Sequence, residues 1–265
     1  MRILHLIIGF FFCSNVLAQS ENFEWQSRPL RDNLYMTRST EIEQNLDFEE
    51  LNLKIVQSLN AYAPELSEGR VTGVTYEQGM LVLKNLLNHP MYISEKQDYD
   101  TERNLGLCFG RATYLHLELL RYGVNKDSIK KIFVVGPMSA GTDKVWQFHV
   151  ATLVKDATTN QWWALDTNIG KPILVNRWMD AYKRMATDKK YRIFRRPLVD
   201  RTKSLRFYVS EPQKIGPSSW EYNIQLGGLF HESYNMYFQD MFRYFKKTPV
   251  TAEQKFNHNQ CRKLF

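Results

Sequence analysis

LCFGRATYLHLELLRYG (residues 107–123), WQFHVATLVK (146–155) and QWWALD (161–166) are the stretches that decide the fold. In the first, Ala112, Leu115 and Leu119 recur at helical spacing across Arg111–Tyr122, and Gly123 supplies the C-terminal stop. The second reads as a strand from Trp146 to Val154. The third reads as a strand from Gln161 to Leu165, with Asp156 to Asn160 as the turn between them. Lys131 to Val135 is a shorter β-branched run that ends at Gly136-Pro137. A helix followed by antiparallel strands implies an α+β domain.

These stretches also carry the chemistry. Cys108 stands just before the predicted helix, where unpaired N–H groups and the helix dipole favour negative charge. The same N–H groups are placed to hold an oxyanion. His149 lies in the middle of one predicted strand and Asp166 at the end of the next, so hairpin pairing would let the two side chains meet. A thiol attacks a carbonyl as its thiolate, and it needs an imidazole partner together with a group that orients the imidazole. Cys108, His149 and Asp166 are the candidate catalytic residues. Helix-start Cys, strand His and next-strand Asp is the order used by transglutaminase-like and papain-related thiol enzymes. The expected core therefore has its nucleophile at a helix N-terminus packed on an antiparallel sheet.

Outward from this block, Arg2, the apolar run Ile3–Phe12 and the small residues Val16 and Ala18 read as a signal peptide over residues 1–18. The run is too short to span a bilayer, which takes about 20 apolar residues. The expected location is secreted or periplasmic after cleavage near Ala18, without stable membrane insertion. The formal net charge of +7 then points to ordinary solubility or acidic surfaces, and an exported chain has no nucleic-acid partner to meet. After cleavage only Cys108 and Cys261 remain. That excludes a disulfide-scaffolded mini-domain and a thiolate metal site, and it leaves a Cys108–Cys261 disulfide as the competing reading.

Residues 19–100 form an N-terminal helical segment and a candidate pro-segment, ahead of a catalytic domain over 101–265. Residues 19–38 are polar and read as an irregular lead-in. Thr40 and Glu43 fit a capping box for a helix through Ile42, Leu46, Leu53 and Val56 towards Leu59. A second helix is predicted over Tyr76–Leu87, stopping before Pro90, and Ser94–Arg103 reads as an exposed loop. Beyond Trp178 the chain is basic. Lys189, Lys190, Arg192, Arg195, Arg196, Arg201, Lys203 and Arg206 read as a solvated face. Phe230, Tyr234, Tyr237, Phe238, Met241 and Phe245 form a C-terminal aromatic helix that serves packing.

The motifs Leu107-Cys108-Phe109-Gly110-Arg111-Ala112, Trp146-Gln147-Phe148-His149-Val150-Ala151 and Leu165-Asp166 resemble those of the bacterial protein-glutaminases, the protein-glutamine deamidases. These are transglutaminase-like cysteine enzymes. The resemblance covers roughly residues 104–180, with weaker echoes at Phe133–Gly136, Lys171-Pro172-Ile173 and Trp178. The family's aspartate is commonly followed by proline, whereas Thr167 follows here. The resemblance implies attack of Cys108 on a glutamine side-chain amide of a protein substrate. His149 would serve as acid and base, Asp166 would orient it, and Trp146 and Phe148 would line the entry for the substrate carboxamide, with core packing as the competing role for at least one of them. No cofactor or metal is implied. A transglutaminase or cysteine protease would use the same three residues. A non-enzymatic alternative is an envelope-binding domain that uses the basic stretch and the Cys108–Cys261 disulfide.

Overall fold

A computed structural model describes residues 30–65, 67–98, 107–139, 145–186, 204–209 and 232–256. The described helices are α1 (Leu30–Glu43), α2 (Phe48–Ala61), α3 (Tyr76–Leu87), α4 (Pro90–Ile93), α5 (Glu95–Asp98), α6 (Cys108–Arg121), α7 (Val175–Met185) and α8 (Glu232–Lys247). The strands are β1 (Ile129–Met138), β2 (Trp146–Lys155), β3 (Trp162–Leu165), β4 (Ile173–Leu174) and β5 (Arg206–Val209). They form one sheet in the order β4-β3-β2-β1-β5, and each pairing is antiparallel. The α+β expectation is met by this mixture of helices with one antiparallel sheet. Among the described residues no helix is long and apolar enough to cross a membrane.

The sheet is buried on both faces. On one face, Leu115 and Leu119 of α6 meet Leu83 and Leu86 of α3, together with Val154, Leu165, Met241 of α8 and Phe256. On the other, Ile132, Val134, Ala151 and Leu153 pack under Trp162, Trp178, Met179 and Tyr182. A β-strand buried on both faces carries apolar residues at nearly every position rather than alternating ones. This is why KIFVV reads as a continuous apolar run. β1 is longer than the predicted Lys131–Val135, and it continues past Gly136 to Met138 with a register shift against β2. Gly136 makes that shift feasible. Its φ is +138°, and a Cβ there would lie 2.7 Å from the Ser204 carbonyl oxygen.

The N-terminal expectations need correction. Residues 30–38 are not an irregular lead-in but the first part of α1, and Thr40 lies inside that helix rather than at a cap. The chain breaks instead at Asn45, whose φ is +53°, a conformation that Asn tolerates better than most residues. α2 then starts afresh with Asp47 as its N-cap, accepting from the Glu49 and Glu50 N–H groups. The prediction for α3 holds from Tyr76 to Leu87, and a reciprocal Thr75/Gln78 capping box adds to it.

Ser94–Arg103 is not wholly an exposed loop. Glu95 opens the short helix α5 and is buried, while residues 99–106 lie outside the described residues. Arg206 is also not on a solvated face. It is 8% exposed and pairs with Glu41 of α1 at 2.9 Å. The other basic residues named above, Lys189 to Lys203, lie outside the described residues, as does Phe230. Tyr234, Tyr237 and Phe238 fall on α8, as the aromatic stripe predicts, and the described Met241, Tyr244 and Phe245 pack into or against the α3/α6 core.

Candidate active site

Leu107 is fully buried and fixes the point where the chain enters α6, so the helix begins at Cys108 itself. The Cys108 thiol is free and half-buried. Its sulfur sits in the first helical turn, where backbone N–H groups have no intrahelical partner. β2 pairs with β3 from Lys155↔Trp162 to Thr152↔Leu165, after which the chain turns at Asp166–Ile169. His149 therefore projects past the end of β3, and Asp166, the first residue beyond that strand, reaches it. His149 Nε2 lies 3.0 Å from Asp166 Oδ2. With Nε2 so engaged, Nδ1 is the ring nitrogen left to serve the Cys108 thiol, which lines the same recess. The sequence-predicted residues Cys108, His149 and Asp166 are thus brought together in that order.

The electrostatics follow from these contacts. Burial pushes the Cys108 thiol up. The hydrogen bond and charge of His149, the Arg111 guanidinium and the Val150 backbone N–H outweigh it and hold the thiol below its ordinary value. Burial alone would lower His149. Its Asp166 partner, seconded by Cys108, raises it to about 10. Burial would raise Asp166, but His149, the Trp178 indole N–H and the Asn168 backbone N–H bring it down to about 2. These shifts favour a thiolate–imidazolium pair beside a carboxylate that is charged at neutral pH.

The carboxylate is held from several sides. Oδ2 accepts from Trp178 Nε1 at 2.7 Å and from the Tyr182 hydroxyl at 2.8 Å, and Oδ1 accepts from Asn168 N at 2.9 Å. Tyr182 also stacks on the His149 ring, with centroids 5.0 Å apart and planes 19° from parallel, and Trp178 lies behind it at 6.3 Å. α7 therefore clamps both Asp166 and His149. Trp178 stands out in the sequence only as a motif echo, and Tyr182 does not stand out at all. The signal for it was its i, i+4 spacing from Trp178 on an amphipathic helix that follows the Asp.

The recess at the sulfur is lined by Cys108, Arg111, Ala112, Leu115, His149, Val150, Leu165, Asp166 and Thr167, and it closes to about 10 Å³, about the room one water takes. Trp146 and Phe148, the expected substrate-binding residues, are not in that lining. Trp146 packs towards Met138 and the α7 side of the sheet. Phe148 packs 6.0 Å from Phe133, in the cluster that also contains Leu34 of α1 and touches Cys108. A wider cleft of about 430 Å³ opens near β4, between Tyr76, Trp163, Lys171, Arg177 and Arg184, and its lining contains no cysteine or histidine.

The chain is similar to solved protein-glutaminase structures. A crystal structure of protein-glutaminase aligns at 18% identity and a TM-score of 0.36, over 56% of this chain and 80% of that one. The NMR structure of protein-glutaminase from Chryseobacterium proteolyticum aligns at 20% and 0.34, over 55% and 78%. A crystal structure of pro- protein-glutaminase aligns at 17% and 0.36, over 57% and 52%. No family model matches the chain, and no curated protein does.

Proposed function

We propose that this protein is a secreted protein-glutamine deamidase, converting accessible glutamine side chains of proteins to glutamate and ammonia. The observation that carries the reading is the imidazole of His149, held by Asp166 Oδ2 at 3.0 Å and lining one recess with the Cys108 thiol. The Cys108 thiolate adds to the side-chain carbonyl carbon, and the oxyanion is held by N–H groups at the start of α6. The imidazolium of His149 gives its proton to the departing nitrogen, the C–N bond breaks and ammonia leaves. A γ-glutamyl thioester on Cys108 remains. Water, deprotonated by His149, then adds to that thioester and the C–S bond breaks. The thiolate is restored, and ammonia takes up the proton of the new acid.

Two features favour a carboxamide over a peptide bond. The residues around Cys108, His149 and Asp166 match the deamidase motifs, and the recess is narrow. A slim side chain could enter after a small opening, whereas a main chain would have to continue on both sides of the sulfur. In this reading residues 1–18 direct export, and α1 is the part of the N-terminal segment that covers the site. Its Leu34 fills the apolar cluster against which Cys108 and Phe148 pack, and Arg38 and Glu41 tie it to Ser204, Arg206 and Tyr208. The test is ammonia release from a glutamine-rich protein, with free glutamine and an added amine as comparisons. Ammonia from the protein that disappears with Cys108→Ala supports the reading. Amine incorporation in place of ammonia would make the chain a transglutaminase.

A further inference from the structure

We propose that Glu95 sets the specificity of this site. By occupying the Arg111 guanidinium from behind, it keeps the recess selective for an uncharged carboxamide over a carboxylate. The inference deepens the deamidase reading and rests on it for its biological meaning.

Arg111 lies one turn after Cys108 on α6 and lines the recess, so its charge stands beside the reacting group. An open guanidinium there would be a liability. Amide substrate and acid product have nearly the same shape, but a carboxylate pairs with arginine in a bidentate, charge-assisted way that an amide cannot match. A deamidase with such a cation beside its nucleophile would hold its product more tightly than its substrate. In this chain the guanidinium is already engaged. Its Nε donates to Glu95 Oε2 at 3.1 Å, and its NH2 group lies 2.9 Å from Glu95 Oε1. NH1 donates to Thr167 Oγ1 at 3.1 Å, and the Tyr92 ring covers the guanidinium at 5.8 Å. Both charged side chains are largely buried, at 17% and 7% exposure, so water screens the pair little. Glu95 itself is not in the recess lining.

The charges add up in the same sense. Cys108 and His149 are neutral as a pair whichever of them holds the proton. Asp166 is negative, and Glu95 offsets part of the Arg111 charge at the recess. Together these described groups disfavour a carboxylate. Removing the Glu95 charge strengthens the Arg111 field at the recess and weakens that bias.

Two alkylating reagents of equal size test this without any assumption about glutamine. Iodoacetamide carries a neutral amide and iodoacetate a carboxylate, and both consume the same Cys108 thiolate. The ratio of their rates therefore cancels any change in thiol ionisation. The rates are read at Cys108 by peptide mass spectrometry in the full chain. In Glu95→Gln the iodoacetate-to-iodoacetamide ratio should rise about tenfold or more, as expected for an unmasked charge a few ångströms away. In Glu95→Gln/Arg111→Gln the rise should vanish. If Glu95→Gln does not fold, Glu95→Asp keeps the buried charge but is too short to span both Nε and NH2, and it should raise the ratio a few-fold. An unchanged ratio in a folded single variant would overturn the proposal, as would a rise that persists without Arg111. A chain that shows the ratio change but releases no ammonia would keep the masked arginine and lose the deamidase reading.

Discussion

Replacing Asp166 by Asn removes one charge from the centre of the site while preserving its shape. Three donors converge on Oδ2: His149 Nε2, Trp178 Nε1 and the Tyr182 hydroxyl. An Asn that keeps its oxygen on the Asn168 N–H must turn its NH2 towards all three. The Tyr182 hydroxyl can rotate to accept, but the Trp178 indole N–H can only donate. His149 can accept at Nε2 only with its own proton on Nδ1, which then faces Cys108 and cannot take the thiol proton. A carboxyl held at about 2 instead of its ordinary 3.8 corresponds to about 2 kcal/mol of stability. Because the folded-state value is depressed, this contribution is full above about pH 4 and is lost as the pH falls through about 2. His149, raised to about 10, adds stability that is full below its ordinary 6.5 and fades as the pH rises through 10. Asp166→Asn should therefore unfold about 2–3 kcal/mol more easily at neutral pH, and the gap should close towards about pH 2. The thiol should also return towards its ordinary range. A free cysteine near 8.5 is well under about 1% ionised at pH 6, so alkylation of Cys108 by iodoacetamide at that pH should slow on the order of a hundredfold. Equal alkylation rates at pH 6 in a folded variant would refute the ion-pair account of the thiol.

Other outcomes follow from the same contacts. Cys108→Ala should abolish ammonia release with melting little changed, whereas Cys261→Ala should keep the activity; equal loss in both would favour a disulfide between them. Truncation through residue 46 removes α1 and should speed Cys108 alkylation, because Leu34 leaves the cluster beside the sulfur. Truncation through residue 98 also strips α3 and Glu95 from the core and should give an unfolded chain by circular dichroism. Leu83→Ala, at a fully buried position facing α6, should cost about 2–5 kcal/mol in denaturant unfolding; a cost below about 1 kcal/mol would mean that α3 is not part of that core.

The sequence spoke most clearly where one local rule governs. α3 shows as an amphipathic repeat running to the Asn88-His89-Pro90 break. The Cys108, His149 and Asp166 grouping shows because a hairpin forces a strand His towards the residue that ends the next strand. It was less clear where long-range pairing overrides local polarity. Arg206 looked solvated because its partner Glu41 is more than 160 residues away in sequence. Glu95 looked like part of a polar loop because nothing nearby hints that Arg111 will bury it. Trp146 and Phe148 flank His149 in sequence, but sheet packing and the register shift near Met138 direct them into apolar clusters instead of the recess. The Asn45 break between α1 and α2 depends on a left-handed residue, which a hydrophobic pattern does not reveal.

The most direct test of the central claim is mass spectrometry of a glutamine-containing protein incubated with the mature chain in water labelled with heavy oxygen. The account predicts intact substrate in which glutamines have become glutamates, each carrying one heavy oxygen from the water that opened the Cys108 thioester, and no conversion by Cys108→Ala. Shortened or cross-linked substrate with its glutamines otherwise unchanged would contradict the deamidase reading, and untouched substrate would contradict the claim that the site acts on protein glutamine at all.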